Sequence, residues 1–232
     1  MIVSLAVAIA TALVIVTGSL VPFLNPAWVG FEQRRAEALA WTGYDEGQLA
    51  SATNAILSDL VLVTGDFDVE VAGAPVLSER ERGHMRDVRT AFLGLWTLTL
   101  IAAVTLLVAW HRSGRPNPHG RAAFWRYVRR GAGGLAVTVV ALGAVAIVAF
   151  DVLFEAFHRL LFPAGSYTFD PTSERLVQLF PFRFWQETAI AVGAMIVLVC
   201  GAVTLLARRA ASRNGDAATG PYAVAPGEGV RP

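Results

Sequence analysis

The sequence predicts an all-α membrane protein with four transmembrane helices and a small extracytoplasmic cap domain formed by the first outer loop. Of the 232 residues, 55% are hydrophobic and only 16% are charged, whereas soluble domains are usually about 25% charged. Four apolar runs are long enough to cross a bilayer, which takes about 20 residues. The segments that join these runs differ strongly in charge. These three observations favour a multi-pass membrane protein over a soluble one.

The four apolar runs are Ile2–Leu24, Ala91–Trp110, Ala132–Phe150 and Ala189–Ala207. The first has no basic residues before it and exceeds the roughly 7–15 residues of a signal-peptide core, so we interpret it as an uncleaved span. The chain is accordingly divided into transmembrane helix 1 (1–24), the cap (25–87), transmembrane helix 2 (88–110), a basic cytoplasmic loop (111–131), transmembrane helix 3 (132–154), an outer loop (155–184), transmembrane helix 4 (185–207) and a cytoplasmic tail (208–232). The tail is rich in glycine, proline and alanine, which predicts disorder.

The charges of the loops predict the orientation in the membrane. Residues 111–131 contain six arginines and no acid, and three more arginines follow the fourth run. Residues 25–87 contain eleven acids and five arginines. Because loops rich in basic residues stay in the cytoplasm, both termini are predicted to be cytoplasmic, and the cap and the 155–184 loop are predicted to lie outside.

The cap segment has its own folding signals. Apolar residues recur at helical spacing from Leu49 to Leu60, which predicts an amphipathic helix. Apolar and acidic residues alternate over 67–71, which predicts a short strand. The Ser78-x-x-Glu81 pattern is typical of a capping box, so the second membrane helix is predicted to begin near Glu79, before the chain reaches the lipid.

Two histidines lie just outside apolar runs on the predicted outer face. His84 precedes the second run by seven residues and His158 follows the third by eight, so at about 1.5 Å per residue both lie roughly 10 Å beyond the hydrocarbon. The other two histidines, His111 and His119, lie among arginines on the predicted cytoplasmic side. His84 and His158 are therefore the pair that can share one site, and imidazole titrates near neutral pH.

Each of these two histidines has a carboxylate on its own helical face. Asp87 follows His84 by three residues, whereas Asp151 and Glu155 precede His158 by seven and three. Carboxylates at such positions orient an imidazole and stabilise its protonated form during general acid–base catalysis. The pattern therefore predicts a catalytic site as one interpretation of the pair.

Other interpretations stay open. Glu155 is also spaced to form an exposed ion pair with Arg159, and both histidines could simply be satisfied by neighbours and lipid phosphates. The sequence contains no GxSxG, Ser-x-x-Lys, HExxH or HxxxH motif, so it predicts no protein nucleophile, metal or cofactor. A net charge of +1 without an RNA- or DNA-binding motif argues against nucleic acid. The main alternative is a non-enzymatic membrane protein whose cap binds a ligand or partner, with imidazole rings more than about 10 Å apart; a transporter is a weaker one.

Both histidines lie within longer motifs. Residues 77–89 read LSERERGHMRDVR, and the second stretch comprises Phe157-His158, Phe162, Phe169-Asp170-Pro171, Leu179-Phe180-Pro181 and Phe184-Trp185. The first stretch resembles the motif L-[ST]-x-x-E-x-x-H-M-x-D-V-[KR] of the lipoprotein intramolecular transacylase (Lit) family of bacterial integral membrane proteins, and the second resembles that family's second motif. The number of spans and the long first outer loop are also similar, and the resemblance extends to about Ala207. Tyr167 stands where many relatives are expected to have tryptophan.

The resemblance implies an acyltransferase of the bacterial cell membrane that acts on a diacylglyceryl lipoprotein among membrane lipids. The acyl ester at the inner glycerol position would pass to the α-amine of the N-terminal cysteine. The family's two catalytic histidines would fall on His84 and His158. Because the substrate brings its own amine, one neutral histidine would take the amine proton and the other, protonated, would polarise the ester carbonyl.

Five more residues are candidates for supporting roles near these histidines. Asp87, Asp151 and Glu155 are candidates to orient the imidazoles, as described above for their spacing. Arg86 and Arg89 are candidates to contact lipid headgroups, since arginine binds phosphate oxygens at the membrane surface. No metal ligand or cofactor-binding residue is part of the prediction.

Overall fold

A computed structural model describes residues 2–114 and 118–219 of the chain, almost all of them helical. Eight α-helices were found in these residues: α1 (Ile2–Leu20), α2 (Pro26–Arg35), α3 (Ala38–Thr42), α4 (Glu46–Val61), α5 (Glu79–Ser113), α6 (Pro118–Leu161), α7 (Arg175–Leu179) and α8 (Phe182–Thr219). A short 3-10 turn, Val21–Phe23, follows α1, and two strands, β1 (Glu70–Val71) and β2 (Ala74–Pro75), pair antiparallel.

Four helical segments are long and apolar enough to cross a membrane: Ile2–Phe23, Glu79–Ser113, Gly120–Leu161 and Phe182–Arg213. They follow the order of the four predicted runs and contain the last three in full, and the first without Leu24. Within each segment, an 18-residue window has a mean hydropathy between 2.2 and 2.6, as expected for helices in a lipid bilayer. The predicted fold class, an all-α membrane protein with four transmembrane helices, is confirmed.

The chain divides into two compact units, which we name after their most informative residues. The histidine unit consists of Val16–Leu98 and Val139–Ile196, and the arginine unit of Met1–Ile15, Thr99–Thr138 and Val197–Pro232. Each unit takes a part of all four long helices. The division of the chain into a cap and loops, and its orientation in the membrane, stay predictions.

The histidine unit contains a hydrophobic core built mostly from the long first loop. Its buried side chains come from α2 to α4, the strand pair, the start of α5, and α7, and they include Ile56, Phe67, Met85 and Leu179. Three buried polar groups link these elements: Thr53 donates to the Gln33 side chain at 2.9 Å, and Gln33 donates to the Leu179 carbonyl at 3.0 Å. The segment that the sequence predicts to be a cap therefore shares its hydrophobic core with α7 and the start of α8.

The carboxylate of Asp59 stabilises the turn that follows α4. Asp59 accepts hydrogen bonds from the Thr64 hydroxyl and from the backbone N–H of Phe67, both at 2.8 Å. A Cβ at Gly65 would lie 2.7 Å from the same carboxylate, so this position requires glycine. The predicted strand over 67–71 is shorter than the pattern indicated, because only Glu70–Val71 pairs with a neighbour.

The arginine unit is held by aromatic and small side chains. Val7, Phe124, Val128 and Ala207 form its buried cluster, with Trp110 and Trp125 packed against it. A Cβ at Gly131 would clash with the carbonyl oxygen of Ala8, so α1 and α6 approach closely there, as small residues permit in membrane helices.

Two boundaries differ from the prediction. α6 continues to Leu161, beyond the predicted end of the third span at residue 154, and its helical geometry is interrupted at Ala149 (φ −147°, ψ 45°). The disorder predicted for 208–232 is wrong for its first part, since α8 continues to Thr219. Arginine and alanine are strong helix formers and extend a helix that is already nucleated. Residues 220–232 lie outside the described residues.

Candidate active site

His84 lies in the second turn of α5, and Glu81 fixes the start of this helix. The backbone N–H of Ser78 donates to the Glu81 carboxylate at 2.7 Å, and the N–H of Glu81 donates to the Ser78 hydroxyl at 3.3 Å. The capping-box pattern is thus formed, and α5 begins at Glu79, where the sequence predicts it. The second Glu81 oxygen accepts from the backbone N–H of Leu176 at 2.6 Å. One carboxylate, only 2% exposed, therefore joins the start of α5 to α7.

Exposed ion pairs hold the same part of α5 against the surrounding loops. Arg80 donates to both carboxylate oxygens of Glu174, at 2.5 and 2.7 Å. Arg82 donates to Asp68 at 2.7 Å. Individually such pairs contribute little in water, but together they connect α5 to the loop that precedes it and to the distant loop that contains Glu174.

The two arginines proposed as headgroup contacts are also engaged with protein groups. Arg86 pairs with Glu79 at 2.6 Å and with Asp66 at 3.0 Å. Arg89 donates to the Gly65 carbonyl at 2.7 Å and lies 5.0 Å from the centre of the Phe67 ring. Their contact with lipid headgroups stays a prediction, and in the structure they fix the 65–67 turn on α5.

His158 lies near the end of α6, in a cluster of aromatic rings. Its Nδ1 is 2.7 Å from the carbonyl oxygen of Phe154, one turn earlier in the helix. A carbonyl oxygen only accepts hydrogen bonds, so Nδ1 carries the proton, and in the neutral ring Nε2 has the free lone pair. The rings of Phe154 and Tyr167 lie 4.2 and 5.2 Å from the imidazole, measured between centroids.

The structure brings the two predicted histidines together. The ring centroids of His84 and His158 are 6.1 Å apart, and the ring planes are inclined by 25°. Phe162 packs against both imidazoles, at 4.9 Å from His84 and 5.6 Å from His158, and Phe169 lies 5.5 Å from His84. The separation is well below the 10 Å limit set above for a shared site.

The two histidines differ in exposure. His84 is only 7% exposed, whereas His158 is half-buried. His84 lies seven residues before the apolar run Ala91–Trp110, in the part of α5 that the sequence predicts to lie outside the hydrocarbon. Burial, reinforced by the charge of His158 and opposed by that of Asp87, lowers the pKa of His84 to about 4. His84 is therefore neutral near pH 7, and its buried Nδ1 has no hydrogen-bond partner among the described residues.

The predicted carboxylates occupy different positions around the pair. Asp87 raises the pKa of His84 through its charge. Asp151 is exposed. Glu155 accepts from Arg159 at 2.8 Å, and this is the ion pair that the sequence left open as an alternative. Glu155 also accepts from the Tyr167 hydroxyl at 3.3 Å.

Three features of the site could not be found from the motifs. The Phe154 carbonyl sets the tautomer of His158, Tyr167 links Glu155 to the ring of that histidine, and Glu81 positions the helix that carries His84. The capping box indicated Glu81, but only as a helix signal. Among the side chains that the structure describes, no group of three or more histidine, cysteine or acidic residues could hold a metal ion.

Comparison with known proteins gives one family match and one group of similar structures. The family model "Lipoprotein intramolecular transacylase Lit" matches residues 4–185. No curated protein matches the chain at a significant level. The structure of the membrane integral lipoprotein intramolecular transacylase Lit from Bacillus cereus aligns with a TM-score of 0.76 at 15% identity, over 92% of this chain and 96% of that one. A variant of the Bacillus cereus protein with one histidine changed to arginine gives a TM-score of 0.72 at 15% identity, over 93% of both chains. These structures have the same fold as the chain.

Proposed function

Because the chain belongs to the lipoprotein intramolecular transacylase family, and is therefore a membrane acyltransferase, we propose that it moves an acyl group within a diacylglyceryl lipoprotein. The acyl group leaves the inner glycerol oxygen and is transferred to the α-amine of the N-terminal cysteine, where it forms an amide. His84 and His158 are the two catalytic histidines. The observation that carries this assignment is their ring separation of 6.1 Å.

His158 is the general base in this proposal. Its Nδ1 proton is held by the Phe154 carbonyl, so Nε2 of the neutral ring is the atom that can accept a proton. The amine of the substrate loses that proton to Nε2 as its nitrogen attacks the ester carbonyl carbon. The backbone bond thus selects the tautomer that a base requires.

His84 is the hydrogen-bond donor to the ester carbonyl. A pKa of about 4 makes a protonated His84 rare near pH 7, which argues against the imidazolium that the sequence-based mechanism assumed for one of the two rings. A neutral imidazole still has one N–H that can donate a hydrogen bond to the ester carbonyl. A lowered pKa keeps the ring neutral, and a neutral imidazole can polarise a carbonyl without transferring its proton.

The reaction balances without a protein nucleophile. The nitrogen–carbonyl bond forms first and gives a tetrahedral intermediate, whose oxyanion receives the hydrogen bond from His84. The bond between the carbonyl carbon and the glycerol oxygen then breaks. Protonated His158 returns its proton to the leaving alkoxide, so the products are an amide and a free hydroxyl. Both reacting groups belong to one substrate, and this proximity supplies much of the rate.

The surface near His158 supports a lipid substrate. Phe157, Leu160 and Leu161 follow one another along the end of α6 and are 53%, 82% and 46% exposed. An exposed apolar surface of this kind marks contact with a ligand or lipid. The acyl chains of a diacylglyceryl group match it chemically.

Mass spectrometry of lipoprotein N-termini tests the proposal. The full chain is expressed in a host that lacks lipoprotein N-acylation, and we expect the N-terminal cysteine to gain an amide-linked acyl chain while the glycerol loses one. His84→Ala and His158→Ala should each reduce this product by about 100-fold or more, as expected for loss of an acid or base. Unchanged diacyl lipoproteins in the presence of folded protein would contradict the proposal.

His111→Ala is the matched control. His111 lies in the arginine unit and is exposed, so its removal should leave the product yield near that of the unmodified chain. An equal loss in all three alanine variants would point to unfolding and remove the assignment of His84 and His158. The non-enzymatic alternative expected the rings more than about 10 Å apart, and the observed 6.1 Å contradicts that expectation.

A further inference from the structure

The arginine unit has an excess of positive charge that its own described side chains do not balance. It contains eight arginines with described side chains: Arg112, Arg121, Arg126, Arg129, Arg130, Arg208, Arg209 and Arg213. No aspartate or glutamate side chain is described in this unit. Every ion pair found among the described residues belongs to the histidine unit. The described side chains therefore supply no counter-charge for these arginines.

Two of these arginines line a cavity of about 550 Å³. Its other lining residues are Trp110 from α5, Trp125 from α6, and Leu206 and Ala210 from α8. The two indole rings meet edge to face at 5.5 Å. The cavity therefore combines an apolar wall with two cationic groups.

The spacing of Arg209 and Arg213 indicates what the cationic groups bind. They are four residues apart on α8 and line the same cavity, so their charges repel each other on one helix face. A phosphate group between two guanidinium groups removes this repulsion and accepts paired hydrogen bonds from each of them. An anion in the cavity would supply counter-charge that no described side chain provides there.

A third arginine has an unused donor next to the same aromatic wall. Arg121 stacks on Trp110, with its guanidinium carbon 3.3 Å from the ring centre. Its buried Nη1 has no hydrogen-bond partner among the residues that the structure describes. A buried donor without a partner is costly. Arg121 does not line the cavity, so it adds positive charge beside Trp110 and is not counted as a contact with the ligand.

The position of the cavity indicates that the anion carries apolar chains. Trp110 is the last residue of the second apolar run and Leu206 is close to the end of the fourth, so the cavity lies where hydrocarbon gives way to water. Tryptophan is enriched at this depth, and basic pockets between membrane helices bind anionic headgroups. We propose that this cavity is a binding site for an anionic phospholipid, with its phosphate between Arg209 and Arg213 and its chains along Leu206 and the indoles.

Native mass spectrometry of the detergent-solubilised full chain tests this site. The chain is titrated with phosphatidylglycerol or phosphatidylcholine of equal chain length, and we expect the anionic lipid to bind at lower concentration. The double substitution Arg209→Gln/Arg213→Gln should weaken phosphatidylglycerol binding roughly 30-fold, the effect of removing two cationic contacts with an anionic headgroup. Arg129→Gln/Arg130→Gln removes the same net charge from two exposed arginines outside the cavity and should change binding by less than about threefold.

Three results would overturn the proposal: equal binding of the two lipids, equal loss in both double variants, or displacement of the lipid by excess inorganic phosphate. The last would identify a site for a small anion instead. If the double variant does not fold, Arg213→Gln is combined with phosphatidylglycerol that carries brominated chains, which quench nearby indoles. The unmodified chain should be quenched more than Arg213→Gln, and equal quenching would also reject the site.

Discussion

The two helix segments that carry the histidines are built differently. The α5 segment, Glu79–Arg89, is anchored on most sides: Glu81 is buried under the backbone of α7, Met85 enters the hydrophobic core, and four arginines pair with neighbouring loops. The α6 segment, Asp151–Phe162, is mostly exposed, with Leu160 82% accessible. The anchored α5 segment and the mostly exposed α6 segment thus meet where His84 lies next to His158.

This difference separates the two tasks of the site. The buried side holds His84 in an apolar position that keeps it neutral, while the exposed side presents His158 among exposed apolar residues. Under the proposed function, a lipid-linked substrate would reach the exposed side first. Its acyl chains would then need no deep pocket in the protein, because the bilayer already solvates them.

The largest expected effect on stability comes from removing the buried carboxylate that anchors the α5 segment. Glu81→Ala leaves the backbone N–H groups of Ser78 and Leu176 without their acceptor, so we expect the free energy of unfolding to fall by roughly 3 kcal/mol. Chemical unfolding in detergent micelles measures it. Glu79→Ala, which removes an exposed carboxylate from the same turn, should cost less than about 1 kcal/mol. Equal losses in the two variants would show that Glu81 is not the anchor.

The pKa of His84 depends on its own burial in the α5 segment and on the charge of His158 in the α6 segment. His158→Ala removes a repelling charge and should raise this pKa from about 4, although not to 6.5, because burial is the larger cause. Asp87→Asn removes an attracting charge and should lower it. Imidazole NMR signals followed against pH measure both shifts, and shifts in the same direction would contradict the charge arrangement.

The same pKa has a consequence for stability. His84 binds its proton at lower pH when folded than when unfolded, so protonation favours the unfolded chain. The contribution of neutral His84 is complete above about pH 6.5 and is lost as the pH falls toward 4, where the folded group also titrates. Relative to a His84→Gln variant, the free energy of unfolding should therefore decrease across this window by an amount on the order of 2 kcal/mol. A pH-independent difference between the two chains would contradict the assignment.

A smaller effect is expected on the exposed side. Tyr167→Phe keeps the ring against His158 but removes the hydroxyl that donates to Glu155, so the rate should fall by about threefold, the effect of one partly exposed hydrogen bond. We expect kcat to fall and KM to stay unchanged, because Tyr167 acts through the position of His158. Tyr127→Phe, in the arginine unit, is the control. A change in KM alone would assign Tyr167 to substrate binding instead.

The sequence predicted the elements and the pairing of the histidines, but not the asymmetry between them. Equal depth beyond two apolar runs was enough to expect His84 and His158 on one level. Their different burial depends on long-range contacts, such as Glu81 with Leu176 and Arg80 with Glu174, whose partners lie far apart in the sequence. Local periodicity carries no information on such contacts.

The lack of information on long-range contacts also explains why the partners of the supporting residues could not be predicted. Helical spacing placed Glu155 on the face of His158, yet the geometry of Arg159 and Tyr167 decides its partners. Arg86 and Arg89 were expected to face lipid phosphates because of their depth. The turn at Gly65 and Asp66, formed through Asp59, supplies nearer acceptors for both.

The interruption of α6 at Ala149 divides this helix into the predicted third span and the segment that carries His158. In an unbroken helix each inserted residue rotates everything beyond it by about 100°, so the length of the span alone would set the direction of His158. After the non-helical residue, the rings of Phe150 and Phe154 pack on Phe182 of α8. The direction of His158 therefore depends on packing against α8 as well as on the span that precedes it.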